Sequence, residues 1–136
     1  GEEAGGFTTI DLLQVDLFTG DGAVFKLGAA PTYVRKGETV RRIVGTSLPA
    51  GLSDGEKFAP DRFPLHLSPG DCVLLVSDGV AGGGDDSWLR ERFAGFSGDS
   101  PKELAADLIA HSPQGATDDR TALVVRIEKR EWEADR

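Results

Sequence analysis

Through much of the first half of the chain, apolar and polar positions alternate with a period of two, the pattern of half-buried strands. Residues 7–17 (FTTIDLLQVDL) are rich in Thr, Ile, Val and Leu and predict one strand with room for a bulge. Thr19-Gly20-Asp21-Gly22 predicts a turn, because Asp-Gly and Gly positions accept the positive φ of tight hairpins. A second strand is expected over residues 23–27, with Ala23, Phe25 and Leu27 alternating against Val24 and Lys26. Residues 31–35 and 38–44 predict a further hairpin around Lys36-Gly37. Such short connections imply antiparallel pairing. Over residues 45–62 the alternation gives way to Gly, Pro, Ser and Asp, the composition of a long surface loop, and residues 63–67 resume a short strand.

Ser68-Pro69-Gly70-Asp71 has the residues of a type II turn. It feeds residues 73–86 (VLLVSDGVAGGGDD), where four consecutive apolar residues predict a strand buried on both faces. That strand stops at an acid and a glycine, and a flexible glycine loop is expected after it. The period then becomes helical. Leu89, Phe93 and Phe96 recur at i, i+4 and i+7 with Trp88 beside them, after the capping candidates Asp85-Asp86-Ser87. Ser100-Pro101-Lys102-Glu103 is a capping box with proline at the first helical position. Leu104, Ala105, Leu108 and Ile109 form the apolar stripe of that helix, which should stop near His111 and Pro113. Residues 119–129 (DRTALVVRIEK) predict a last strand with Leu123, Val125 and Ile127 on one face, and residues 130–136 a frayed tail. This order of elements predicts an α+β fold.

A length of 136 residues suits a single domain, and 39% hydrophobic with 28% charged residues is the balance of a folded globular chain. No apolar run approaches the roughly 20 residues of a membrane-spanning helix, and the opening GEEAGGF lacks the features of a secretory signal. The lone Cys72 rules out an internal disulfide or a cysteine zinc site and is expected to be an ordinary buried thiol. A cytoplasmic setting is expected, which leaves open membrane attachment through other domains of a parent protein. With no methionine, the chain is expected to be an excised piece. The net charge of −8 disfavours nucleic acid or an anionic membrane as partner. It fits a cation site, and it fits equally an acidic surface that only confers solubility.

Two acidic positions stand against apolar strands: Asp78 at the end of one, Asp118-Asp119 at the start of another. A carboxylate there is costly unless something pairs with it. Arg120 is the one base close in sequence, and a hard cation such as Mg2+ or Mn2+, which takes a few carboxylates plus waters, is the other natural partner. Gly79, without a Cβ, would let backbone or water come close. The same residues also read as plain turns, since an acid before a glycine is a common turn. Elsewhere, His66 should face solvent, His111 should sit at a helix C-terminus, and Trp88 and Phe93 should anchor a core. Lys26, opposite the apolar face of its strand, is expected to be solvated rather than to bind phosphate. No Ser-His-Asp, Walker or zinc signature is present.

The ordered segments FTTIDLLQVDLFTGDGAVFKLGAAPTYVRKGETV, SLPAGL, LSPGDCVLLVSDGV, DSWLRERF, SPKELAADLI and DDRTALVVRIEK resemble the C-terminal part of the metal-dependent (PPM, type 2C) serine/threonine protein phosphatases. Within that family they look most like the stage II sporulation protein E branch. The resemblance implies the C-terminal part of an α-β-β-α sandwich with mainly antiparallel sheets. It also implies a two-metal centre of Mn2+ or Mg2+ that holds the water attacking a phosphoserine or phosphothreonine. Asp78 matches the family's SDG metal ligand and Asp118 the second ligand; Asp119, where many members have Asn, would stand near the metals without coordinating them. Gly79 matches the glycine beside the metal aspartate. The implied substrate is a phosphorylated regulator of the anti-anti-sigma type.

The family's domain is longer than this chain, and its bridging aspartate, in an upstream Asp-Gly motif, has no match here. Asp21-Gly22 lies where the family has a hairpin turn and does not fill that place. The isolated chain is therefore expected to bind Mn2+ weakly, to be inactive, and to self-associate through exposed strand edges. The alternatives are a phosphatase-like module that binds a partner without catalysis, and a structural α+β domain with solvated acids.

Overall fold

The computed structural model describes residues 8–46, 59–81, 84–113 and 119–130. Phe7, most of the loop expected over 45–62, Gly82, Gly83, Asp118 and residues 131–136 lie outside them. Two antiparallel sheets make up the fold. The first has the order β1 (Ile10–Val15), β2 (Asp21–Leu27), β5 (Asp61–His66). The second has the order β4 (Thr39–Ile43), β3 (Thr32–Lys36), β6 (Cys72–Val76), β7 (Ala122–Arg126). Between β6 and β7 the chain forms α1 (Asp78–Ala81), α2 (Ser87–Gly95) and α3 (Pro101–His111).

The apolar run of β6 is explained by its place inside the second sheet, with both faces covered. Cys72, Leu74 and Val76 pack with Tyr33 against Leu89 and Phe93 of α2 and Leu104 and Leu108 of α3. Val73, on the other face, packs with Val24, Val34, Ile43 and Leu65 between the two sheets. Each such side chain, fully buried, contributes about 1.5–3 kcal/mol relative to exposure. The result is a layered α+β sandwich, helices on sheet on sheet. Among the described residues no helix covers the outer face of the first sheet, where Ile10, Leu12 and Phe25 line an apolar groove.

Local signals account for the starts of α3 and β6. The Ser100 hydroxyl accepts from the Glu103 N–H at 3.2 Å, with Pro101 opening α3. The turn before β6 closes through Asp71 N–H to Ser68 O at 3.0 Å, with Gly70 at φ +95°. Cys72 is buried, as expected.

Three expectations are corrected. First, the β1–β2 turn comes earlier than residues 19–22. The Asp16 carboxylate accepts from the N–H groups of Phe18 (2.8 Å) and Thr19 (3.3 Å), and Gly20 takes φ +80°, so the chain is already extended at Asp21 and Gly22. Side-chain capture of the backbone by Asp16 thus outweighs the Asp-Gly pair. Second, the stretch after Ser77 begins as a helical turn, not a flexible loop: the Ser77 carbonyl accepts from Val80 and Ala81 at 3.0 and 3.2 Å. Third, Lys26 is not solvated. It points between the sheets and is 0% exposed.

Candidate functional site

The site is built at the end of β6. The strand ladder with β7 runs to Val76, and Ser77 extends it by one step. Its N–H donates to Thr121 O at 3.0 Å, its hydroxyl donates to Asp119 O at 3.1 Å, and the same hydroxyl accepts from Thr121 N–H at 2.9 Å. Ser77 therefore stitches the segment leading into β7 to the residue just before Asp78. Bonds of this kind contribute about 0.5–1.5 kcal/mol each, and here they hold the backbone of Asp119 and Thr121 to Ser77.

Asp78, exposed at the start of α1, and Asp119, also exposed, line one cleft of about 470 Å3. Gly79, buried, lines it too. Asp11 of β1 and Ala30, just before β3, complete its other margin. No hydrogen bond or ion pair to the Asp78 carboxylate is made among the described residues; Arg120, the base next to Asp119 in sequence, instead bonds Ser112 Oγ at 3.0 Å. Oxygen donors left open in this way are the type that hard divalent cations take. Among the described residues, no group of three or more His, Cys, Asp or Glu side chains converges as a metal site. The described chain thus presents part of a donor set. Asp118 lies outside the described residues, next to Asp119.

Sequence reasoning missed Asp11, Lys26, Thr32 and Ser77. Lys26 Nζ donates to Asp11 Oδ1 (2.8 Å), Ala30 O (2.7 Å) and Thr32 Oγ1 (2.8 Å) directly beneath the cleft margin. Asp11 stands opposite Lys26 across the β1–β2 ladder. A correctly placed hairpin turn would have brought that pair to notice.

The remaining singled-out residues have structural partners. His66 is exposed beside Asp21, and its Nδ1 lies 2.8 Å from Asp21 Oδ1. His111, in the last turn of α3, bonds the Asp107 carbonyl. Trp88 and Phe93 pack in the helix-side core. Asp86 accepts from Tyr33 Oη (2.6 Å) and Arg42 Nε (2.9 Å) and lies 3.2 Å from Arg90 Nε. Burial pushes the Asp86 carboxyl up, but the Tyr33 bond and the two guanidiniums outweigh it and hold it below the usual carboxylate range. Burial, then the bond to Asp86, pushes the Tyr33 hydroxyl up to about 12.

Comparison with known proteins places this arrangement. The phosphatase domain of the cell-fate determinant SpoIIE from Bacillus subtilis, presoaked with manganese, superposes with a TM-score of 0.73 at 25% identity, over 91% of this chain and 58% of that one. The PPM Ser-Thr phosphatase MsPP from Mycobacterium smegmatis, at 19% identity, shares the fold with a TM-score of 0.69 over 95% of this chain and 66% of that one. The architecture is that of the PPM phosphatases. More particularly, the family description "Stage II sporulation protein E (SpoIIE)" matches residues 2–128, and the chain belongs to that family. It is 27% identical to stage II sporulation protein E of Bacillus subtilis (strain 168) over an alignment of 131 positions, which covers 90% of this chain and 16% of that protein. The chain thus spans a small part of the full-length relative and a little over half of the compared phosphatase domain. No described helix is long and apolar enough to cross a membrane.

Proposed function

We propose that this chain, as a single partial domain over residues 1–136, is the C-terminal portion of a Mn2+- or Mg2+-dependent protein serine/threonine phosphatase. The observation that carries the reading is the open carboxylate of Asp78, held at the end of a buried strand and sharing one cleft with Asp119. Asp78 and Asp118 would hold the metal ions, with Asp119 and Gly79 beside them and a bridging carboxylate supplied by a preceding segment. Bound as a pair, such cations lower the pKa of a water and offset charge on the phosphoryl oxygens. The chain's own residues contribute position: β6 holds Asp78, and Ser77 holds the Asp119–Thr121 segment to it. The substrate class is a phosphoserine or phosphothreonine protein, of the anti-anti-sigma type, in the cytoplasm. Among the described residues β1, β4, β5 and β7 stand at the sheet edges, which favours self-association of the isolated chain.

The want of three converging ligands among the described residues favours a second reading for the chain on its own, a phosphatase-like module that binds without catalysis. One experiment separates the two. Mn2+-dependent hydrolysis of p-nitrophenyl phosphate is measured for the chain alone and for the chain extended by the segment that precedes it. Turnover only in the extended protein is expected. Turnover by the chain alone would overturn the partial-site reading, and none in either would leave the binding module.

A further inference from the structure

Lys26 takes no part in the reading above, yet it is the most deeply buried charged side chain near the cleft, with 0% exposure. Its three acceptors at 2.7–2.8 Å, a carboxylate, a carbonyl and a hydroxyl, match the three N–H donors of an ammonium group. The Thr32 hydroxyl accepts from Lys26 and donates to Asp11 Oδ2 at 3.0 Å, so both Asp11 oxygens are held. Asp61 of β5 lies opposite Lys26 on its other side, and its Oδ2 accepts from the Thr46 N–H at 2.6 Å. The network joins β1 and β2 of one sheet to β3 of the other, and Asp11 and Ala30 are themselves cleft-lining residues.

We propose that Lys26 sets the cation affinity of the cleft by neutralising Asp11, a third carboxylate on its margin. The proposal rests on the phosphatase reading. Charges in a partly buried setting interact far more strongly than in water. Neutralised, Asp11 keeps an oriented oxygen at the cleft without adding its charge to those of Asp78 and Asp119. Lys26 is accordingly a positioning residue, acting through Asp11.

The test reads Mn2+ affinity by calorimetry on the extended protein, with urea unfolding of each variant alongside. A neighbouring charge shifts proton affinity by 1–3 pKa units. By the same attraction or repulsion, Asp11→Asn, which leaves the ammonium uncompensated, should weaken Mn2+ binding by about 10-fold or more. Lys26→Met, which leaves the carboxylate uncompensated, should tighten it. The double variant removes both members of a buried pair, which is milder for folding than removing one, and its Mn2+ affinity should lie within about 3-fold of the unsubstituted protein. Shifts in the same direction in both single variants, or none in either, would overturn the proposal, as would a folded double variant that has lost more than about 10-fold. If the unsubstituted protein binds no Mn2+, the phosphatase reading falls as well. If it binds and only Asp78→Asn abolishes binding, the role of Lys26 alone is refuted.

Discussion

Two aspartates flank the same glycine-rich stretch and live in opposite circumstances. Asp86, on the far side, is held by Tyr33, Arg42 and Arg90, and ties the start of α2 to β3 and β4. Asp78, on the near side, closes no ion pair among the described residues and lines a cleft. One acid is spent on holding helices to a sheet. The other is kept open by the fold, which stabilises its backbone through Ser77 and the buried β6 instead of its carboxylate. The difference teaches how to sort the acids of a strongly acidic chain: by what their oxygens touch, not by their sequence neighbours.

Substitution puts that contrast to the test. Partners that merely orient metal ligands cost 10–100-fold when removed, so Asp78→Asn should cost the extended protein more than about 100-fold in Mn2+-dependent turnover. Its unfolding free energy should stay within about 0.5 kcal/mol, as for other exposed substitutions. Equal loss of stability would erase the distinction. Asp86→Ala should do the reverse. Hydrogen bonds to a charged group contribute about 1.5–3 kcal/mol, so a loss of about 2 kcal/mol in urea unfolding is expected, with Mn2+ affinity unchanged. Ser77→Ala lies between them. It should cost about 1 kcal/mol of stability and weaken Mn2+ binding by about 10-fold, and unaltered Mn2+ binding would show that the stitch to Asp119 is structural only.

The smallest effect is one of pH. The Asp86 carboxyl is lowered in the folded state, so its contribution is present above the ordinary carboxylate pKa and is lost as pH falls below about 4. The Tyr33 hydroxyl is raised to about 12, so its contribution is present below about 10 and is lost as pH climbs between those values. Urea midpoints across pH should show both declines, and Asp86→Asn should flatten the acid one. An acid decline of equal size in Asp86→Asn would assign it to other groups.

Elements governed by neighbouring residues could be read from the chain: the Ser100 cap, the Ser68–Asp71 turn, the doubly buried β6 and the acid at its end. What could not be read depended on register. Placing the first turn at residues 19–22 sets Lys26 opposite Val15, whereas the actual ladder sets it opposite Asp11. A shift in one turn therefore hid the ion pair and made the lysine look solvated. Alternation marks the two faces of β2 without saying which lies between the sheets; the face that carries Lys26 does. The Ser77 bridge was hidden for a related reason, because it joins residues brought together only by β6–β7 pairing.

The stitch between Ser77 and the Asp119–Thr121 segment also has a consequence for the order of folding. Helices α2 and α3 draw on local contacts, and the β1–β2 hairpin closes over a short loop. The cleft instead needs β1, early in the chain, to meet a segment that immediately precedes the last strand. Contacts so far apart in sequence carry the largest closure entropy and form slowly. Readiness to take up a cation would then follow the pairing of β6 with β7, after the helices and the first hairpin have formed.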